Sequence, residues 1–312
     1  MANDKIKWVK FGKTEGPSYM GTAKYNPPQP WDEWTKIIGV IARCEGNHDT
    51  VTMYDGTGVT WGFMQWTFTS GRLQRLLEYM KSIPAASEDH PDGHPFLNLY
   101  DEAFHNDVGS RKFLWFDFDI ISGRFVDMKT SISLDPNIDK KRINEICTGV
   151  AFYPAGSKDQ IDHAKRLAQV FADAGKLPQV QKAQVDFAKA ELKSALVAKR
   201  TVLNGKTIND ILPHPQNCGE IPPIAWAIFW NLWQNNPGAA YKLYSGTNWG
   251  FTNPRDAELD KLWKKLNASS FGNWGFKSKR YLEGKGDPRV VRIRQAVKEF
   301  YGVDLPLYRP SK

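Results

Sequence analysis

Residues 44–67 read C-E-G-N-H-D-T-V-T-M-Y-D-G-T-G-V-T-W-G-F-M-Q-W-T, and the pattern changes at Gly46. Before Gly46, apolar residues recur at helical spacing over residues 31–44, which predicts a helix with one apolar face. Glycine accepts the left-handed backbone that often ends a helix, so Gly46 is the predicted stop. Glu45 therefore lies on the last turn of a mostly apolar helix, where burial and the negative end of the helix dipole both favour its protonated form.

After Glu45, apolar and polar residues alternate over residues 50–69, around the turn sequence Asp55-Gly56-Thr57-Gly58. This alternation indicates strands, so the segment is predicted to form a β-hairpin with room for a third short strand. The hairpin carries a carboxylate, Asp55, and a hydroxyl, Thr60. A carboxylic acid on a helix end and a carboxylate on a hairpin are the pair that glycoside hydrolysis needs, one to protonate the leaving oxygen and one to activate water.

The segment resembles the catalytic signature of the lysozyme-like superfamily. Its order, E-G-x8-D-G-x-G-x-T-x-G, is similar to that of tailed-phage lysozymes, in which a helix-end Glu precedes an Asp and a Thr in a Gly-rich hairpin. D-G-T-G-V-T-W-G also resembles a strand of the chitosanases, and G-F-M-Q-W resembles a segment of goose-type lysozymes and lytic transglycosylases. By motif position, the resemblance implies that Glu45 is the general acid, Asp55 the base-side carboxylate and Thr60 the hydroxyl that positions water.

Four further residues of this segment are candidate substrate-binding residues. By the same resemblance, Gln65 would line the sugar cleft. The chain has twelve tryptophans, and sugar faces present C–H groups that pack on aromatic rings. We therefore take Tyr54, Trp61 and Trp66 as candidate sugar contacts. No cofactor and no metal are implied.

The resemblance and the periodicities together predict a mainly α (α+β) protein with a lysozyme-like two-lobed fold and a small β-hairpin sheet. Residues 1–30 are polar and rich in Pro, which is typical of an extended N-terminal arm. The catalytic domain would span residues 31–312. Its helix and hairpin lobe would cover about 31–130, and its helical second lobe about 131–312.

Four segments define the expected second lobe. Residues 160–174 show an amphipathic helical pattern, and residues 180–200 continue as a long helix. Residues 201–223 contain four prolines and are predicted to be a linker. Residues 224–233, I-A-W-A-I-F-W-N-L-W, are apolar on all sides, which at this length predicts a buried helix.

The composition of the chain indicates where the protein is made and which partners its charge favours. Three cysteines form no disulfide framework, and no signal sequence or membrane-length apolar run occurs. These features predict synthesis in the cytoplasm, followed by action on the cell wall after release or delivery by phage lysis, a virion or an injection system. The net charge of +8 favours a polyanionic partner such as peptidoglycan, whereas chitosan is itself cationic. No nucleic-acid module is recognisable, so no nucleic-acid partner is expected.

The first hypothesis is a peptidoglycan-cleaving enzyme such as a phage endolysin or virion-associated lysin, cutting β-1,4 bonds between amino sugars. The alternatives are a chitosanase-like hydrolase, a lytic transglycosylase, and a non-catalytic wall-binding or virion structural protein on a lysozyme fold. His90 and His94 lie in a polar loop that reads more readily as surface than as a metal site. The basic region over 277–312 is either a surface that faces polyanions or a solvated face.

Overall fold

The structure, a computed structural model, describes most of the N-terminal region and a series of later segments. The described residues are 6–12, 14–55, 57–83, 116–119, 124–127, 132–135, 138–139, 141, 158–197, 201–203, 206–207, 227–231, 233 and 288–305. They form helices and small antiparallel sheets, so the protein is mixed α+β, as predicted.

Five antiparallel strands form the main sheet in the simple order β1-β2-β3-β4-β5. The strands are β1 (Lys7–Phe11), β2 (Thr14–Tyr19), β3 (Val51–Thr52), β4 (Thr60–Trp61) and β5 (Trp66–Thr67). The last three confirm the predicted hairpin and its third strand. Ser18 pairs with Thr52, so a strand from the N-terminal region extends the hairpin sheet.

The prediction of an extended arm over residues 1–30 is wrong where β1 and β2 form. Gly16 and Pro17, which suggested an arm, lie inside β2, where Pro17 pairs with Trp8. Proline has no N–H to donate to a ladder. Its carbonyl still accepts a hydrogen bond from the Met53 N–H at 3.0 Å. A segment whose composition indicates a linker is therefore part of the sheet.

Helix α1 (Glu33–Glu45) confirms the helix predicted over residues 31–44. Asp32 caps its first turn, because Asp32 Oδ1 accepts a hydrogen bond from the Thr35 N–H at 2.6 Å. The apolar face is buried: Trp34, Ile37, Ile38, Val40 and Ile41. Glu45 is the last helical residue, so the acidic group lies at the position that the sequence indicated.

The C-terminal helix α5 (Pro288–Tyr301) packs on α1. The contact is close at Gly39, where a Cβ atom would overlap the Phe300 ring. Arg43 reaches Glu299 with two nitrogens, the shortest approach being 2.7 Å from Nη2 to Oε1. Helices α1 and α5 are thus held together by a close contact at Gly39 and by an Arg–Glu pair.

Three other helices agree with the periodicity of the sequence. They are α2 (Arg72–Ser82), α3 (Lys158–Ala174) and α4 (Pro178–Val197). The Phe171 ring of α3 lies edge-on to the Trp61 ring, with centroids 5.2 Å apart, so α3 covers the buried face of the sheet. Proline begins α4, where its missing N–H costs no hydrogen bond.

Two small sheets and one helical segment complete the described elements. Strands β6 (Phe116–Asp119), β7 (Arg124–Asp127) and β8 (Ile132–Leu134) form an antiparallel sheet. Strands β9 (Thr201–Leu203) and β10 (Lys206–Thr207) pair within the predicted linker, so that part of the linker prediction is wrong. Residues 227–231 are helical and buried, as predicted. No helix in the described part of the chain is long and apolar enough to cross a membrane.

The chain divides into two compact units, and neither is one continuous segment. The first unit comprises Met1–Lys24 and Gly46–Phe187, and the second comprises Tyr25–Glu45 and Ala188–Lys312. This division differs from the predicted lobes at 31–130 and 131–312. The boundary between Glu45 and Gly46 falls directly after the candidate acid.

Candidate active site

Glu45 lies in the second unit, at the C-terminal end of α1 and half-buried. Asn231 Nδ2 lies 3.5 Å from Glu45 Oε1 and donates a long hydrogen bond to it. Asn231 is fully buried in the helical segment 227–231. Partial burial and the negative end of the helix dipole disfavour a charge at this position, whereas the donated N–H favours one.

Asp55 lies in the first unit and is exposed at the tip of the β3–β4 hairpin. Its Oδ1 accepts hydrogen bonds from the Thr57 N–H at 3.1 Å and the Thr57 hydroxyl at 2.5 Å. The Thr57 hydroxyl also lies 2.7 Å from the Thr60 hydroxyl. These three residues form one hydrogen-bonded chain from surface to interior, which we call the hairpin cluster.

The direction of the protons in the hairpin cluster follows from the chemistry of its groups. An ionised carboxylate only accepts hydrogen bonds, so Thr57 gives its single hydroxyl proton to Asp55. Thr57 must then accept from Thr60, whose own proton is thereby used. Thr60 is 2 % exposed. Its hydroxyl therefore holds Thr57 from below, and does not face solvent as the water-positioning role requires.

Thr57 is the member of the cluster that the sequence reading missed. It is half-buried and stands between the exposed carboxylate and the buried hydroxyl. A signal was present, because an Asp followed two residues later by a Thr commonly closes a side-chain turn. The same geometry serves a turn and offers a surface hydroxyl beside Asp55.

Trp61 and Trp66 are wrong as candidate sugar contacts. Both side chains are 0 % exposed, so no sugar can reach their rings. Trp61 packs edge-on against Phe171. Trp66 packs against Phe63 and Phe187, with ring centroids 5.3 Å and 6.1 Å apart. The two tryptophans are the core beneath the hairpin, and they fix the strands that carry the cluster.

Tyr54, which directly precedes Asp55, stays a candidate sugar contact. It is half-buried, and burial together with the charge of Asp55 raises the pKa of its phenol. The Thr14 hydroxyl donates a hydrogen bond to the Tyr54 backbone carbonyl. The N-terminal hairpin, where an extended arm was expected, therefore supports the residue that precedes Asp55.

Gln65 has a strained backbone. Its φ is 50°, the left-handed region that residues other than glycine rarely adopt, at a cost of order 1 kcal/mol. Its side-chain amide donates to the Gly62 carbonyl at 3.1 Å, and its backbone N–H donates to the same oxygen at 3.0 Å. A Cβ atom on Gly46 would come within 3.1 Å of Gln65 Nε2. The amide thus lies against the residue that follows Glu45.

The loop between Glu45 and β3 has structural partners for each of its polar side chains. Asn47 Nδ2 donates to the Gly21 carbonyl at 3.0 Å, and the Thr50 hydroxyl donates to the Met20 carbonyl at 2.7 Å. The buried Asp49 accepts hydrogen bonds from two backbone N–H groups of the segment before α1. This loop is therefore fixed, and the hairpin starts from a defined position.

His48 completes that loop and takes no part in the proposed chemistry. Its Nδ1 lies 2.9 Å from Gln184 Oε1, and Gln184 Nε2 donates to the His48 carbonyl at 3.1 Å. Burial lowers the pKa of His48 from 6.5 to about 4. The imidazole is therefore neutral near pH 7 and serves as a link between the loop and α4.

Within the described ranges, no group of three His, Cys, Asp or Glu side chains is arranged to hold a metal ion. His90 and His94 lie outside the described residues. In the basic C-terminal region, Arg294 and Lys298 both pair with Asp304, at 2.5 Å and 2.9 Å. Cys44 is buried and forms no disulfide.

The predicted residues thus fall into two groups. Tyr54, the hairpin cluster and Gln65 belong to the first unit, and Glu45 belongs to the second with Asn231. Comparison of the chain with models of protein families, with curated proteins and with solved structures finds no match. The function is therefore argued below from the residues themselves.

Proposed function

We propose that the chain is a lysozyme-like glycosidase that cleaves peptidoglycan at the β-1,4 bonds between amino sugars. The observation that carries this proposal is the placement of Glu45. Its carboxyl group is half-buried at the C-terminal end of α1, a helix whose buried face is apolar. A charge is unfavourable there, whereas a proton donor is favoured.

In the proposed reaction, Glu45 gives its proton to the oxygen of the leaving sugar as the glycosidic bond breaks. A water molecule attacks the anomeric carbon, and Asp55 takes the proton that this water loses. Thr57 holds Asp55 by two hydrogen bonds and offers a half-buried hydroxyl oxygen next to it. Thr60 supports Thr57 from the interior. Gln65 and Tyr54 are the proposed sugar contacts.

Charge supports peptidoglycan over chitosan as the substrate. The chain carries a net charge of +8, which attracts an anionic wall and repels a cationic polysaccharide. A chitosanase-like hydrolase would use the same residues, so charge is the feature that separates the two. Delivery to the wall by phage lysis, a virion or an injection system is part of the proposal.

One observation favours a second candidate, a lytic transglycosylase. Such an enzyme needs the acid but no positioned water, because a hydroxyl of the sugar itself closes an anhydro ring. Thr60 is buried and its hydroxyl is occupied, which removes one group expected to hold water. Product masses separate the candidates, since hydrolysis adds one water per bond cleaved and ring closure adds none.

The direct test replaces Glu45 by Gln, which keeps the shape and cannot donate the proton. We expect the rate of wall cleavage by Glu45→Gln to fall roughly 10²- to 10⁴-fold below that of the wild type. Zymography and mass spectrometry of the products measure this rate. Glu78→Gln is the matched control. Glu78 is also helical and accepts a hydrogen bond from a side-chain amide, that of Gln74 at 3.4 Å, but it is exposed.

The Glu78→Gln variant should match the wild type in cleavage and in melting temperature. Near-normal cleavage by Glu45→Gln would rule out Glu45 as the acid and remove the basis of the proposal. A wild-type protein that binds purified walls without cleaving them would instead support the non-catalytic alternative.

A further inference from the structure

A single amide interrupts the apolar helical segment at residues 227–231. Its first four residues are buried and apolar, and the fifth, Asn231, is buried to the same extent. An amide in such surroundings is unfavourable unless it makes hydrogen bonds. This position therefore needs an explanation that apolar packing does not give.

Asn231 directs its side chain at the candidate acid. Asn231 Nδ2 lies 3.5 Å from Glu45 Oε1, although the two residues are 186 positions apart in the sequence. Both belong to the second unit. The distance is longer than the roughly 2.7–3.2 Å of a well-formed N–H···O bond, and contacts between catalytic groups are often long without substrate.

The chemistry of an amide nitrogen determines what this contact does. A side-chain NH₂ group can only donate, so Glu45 Oε1 must accept. The transferable proton of Glu45 then belongs on the other oxygen, Oε2. A carboxylic acid that accepts a hydrogen bond at one oxygen is restricted in its rotation, and its two oxygens are no longer equivalent.

We propose that Asn231 is a positioning residue for Glu45, which holds Oε1 so that Oε2 delivers the proton to the leaving oxygen. This inference rests on the proposed function, because it assigns Glu45 as the acid. It adds a residue from the C-terminal half of the chain, which no motif around Glu45 contains.

A structural role for Asn231 makes a different prediction from a positioning role. A sugar substrate with a dinitrophenolate leaving group needs no protonation to depart, whereas a natural glycosidic bond does. Loss of acid positioning therefore slows cleavage of the natural bond and spares the activated one. Loss of structure slows both together.

The test compares Asn231→Leu with the wild-type full chain on purified wall oligosaccharide and on the matching dinitrophenyl glycoside. Leu keeps the volume and removes the donor. We expect kcat on the oligosaccharide to fall about tenfold, the size of one ordinary hydrogen bond, with KM unchanged. The rate on the dinitrophenyl glycoside should stay within about twofold.

Two further variants keep the test decisive. Asn231→Ser is the second variant, in case Asn231→Leu fails to fold. The serine side chain can be buried but is too short to reach Glu45, so cleavage of the oligosaccharide should again slow while the rate on the dinitrophenyl glycoside stays the same. Gln184→Leu removes a fully buried amide of the first unit, which bonds to His48 within that same unit. It should lower the melting temperature and leave the ratio of the two rates unchanged.

An equal loss on both substrates, or no loss on either, in the folded Asn231 variants would overturn the positioning role. The failure of the proposed function has a different signature, because Glu45→Gln would then cleave walls normally. If Glu45→Gln is inactive on walls and active on the dinitrophenyl glycoside, while Asn231→Leu behaves as wild type, only the role of Asn231 is lost.

Discussion

At the scale of single residues, the hairpin cluster assigns different roles to two threonines that look alike in the sequence. Thr57 is half-buried and touches Asp55, whereas Thr60 is buried and touches only Thr57 within the cluster. We expect Thr57→Val to lower wall hydrolysis at least tenfold, because Asp55 loses its hydroxyl donor and the water loses a neighbour. Thr60→Val should cost about 1 kcal/mol of unfolding free energy and reduce hydrolysis only a few-fold.

Initial rates on soluble wall fragments and urea unfolding of both variants check this order. Valine keeps the β-branched shape in each case, so each variant serves as the control for the other. A larger loss of hydrolysis in Thr60→Val than in Thr57→Val would restore Thr60 as the residue that holds the water.

Residue-level interpretation of the sequence succeeded where local chemistry decides the position. Glu45 at a helix end and Asp55 at a hairpin tip followed from periodicity and from the Asp-Gly turn. Trp61 and Trp66 were misassigned, because alternation shows that a strand has two faces and does not show which face is covered. Asn231 could not be found, since its partner lies 186 residues away and no local pattern marks the contact.

At the scale of elements, the packing of α5 on α1 depends on the absence of a side chain at Gly39. A Cβ atom there would overlap the Phe300 ring, which is also held at 4.9 Å by Trp31 and at 5.4 Å by Arg43. Gly39→Ala gains up to about 1 kcal/mol in helix propensity but forces an overpacked contact that costs roughly 1–3 kcal/mol. We expect a net loss of unfolding free energy, measured by urea denaturation.

A double-variant cycle isolates the contact. In a Phe300→Leu background the clash is relieved, so Gly39→Ala should then cost less or become stabilising through helix propensity alone. Equal effects of Gly39→Ala in both backgrounds would mean that the contact between Gly39 and Phe300 does not set the packing of these helices.

The link between the 47–50 loop and α4 gives a pH dependence of stability. Burial lowers the pKa of His48 from 6.5 to about 4, so the unfolded chain binds more protons between these values. The free energy of unfolding therefore rises with pH across this window, and the contribution is lost as pH falls from 6.5 toward 4. One pKa unit is about 1.4 kcal/mol, which sets an upper value on the order of 3 kcal/mol.

Urea unfolding of the wild type and of His48→Gln at pH 7 and pH 4.5 measures this term. Carboxylates titrate in both proteins, so the difference between the two slopes isolates the histidine. The wild type should lose more stability on acidification than His48→Gln does. Parallel losses would show that His48 does not carry the proton uptake.

The long helices were predictable from the sequence, whereas the strands were predictable only where a turn signal marked them. Helices α1, α3 and α4 are long enough for a 3.6-residue period to stand out. Strands β1 and β2 were missed, because Gly16-Pro17 resembles loop composition and their partner β3 follows only after the whole of α1. The β9–β10 pair was also missed, although Asn204-Gly205 between the strands is a strong hairpin signal.

At the scale of the whole molecule, the chain alternates between two compact units. It passes from the first to the second after Lys24, returns after Glu45 and leaves again after Phe187. A reading of the sequence in consecutive lobes could not anticipate this division, because each unit is assembled from segments far apart in the chain. The candidate acid and the hairpin cluster consequently come from different units, although Glu45 and Asp55 are only ten positions apart in the sequence.

The net charge of +8 belongs to this scale as well, and it predicts how the protein meets its substrate. Attraction between a basic protein and an anionic wall acts over roughly 10 Å at 0.1 M salt and roughly 3 Å at 1 M. We expect clearing of whole walls to fall steeply between these concentrations. Cleavage of short, soluble wall fragments should change little, because a fragment carries too few charges to be captured at long range.

A charge variant separates capture from chemistry. Arg292 and Gln295 are exposed on α5, and replacing both by Glu lowers the net charge by three, from +8 to +5. Surface changes of this kind cost little stability. The variant should clear whole walls more slowly at low salt, approach the wild type at high salt, and match it on soluble fragments at both. A wild-type rate on whole walls that is flat from low to high salt would show that charge does not contribute to capture, and peptidoglycan would lose its advantage over chitosan as the proposed substrate.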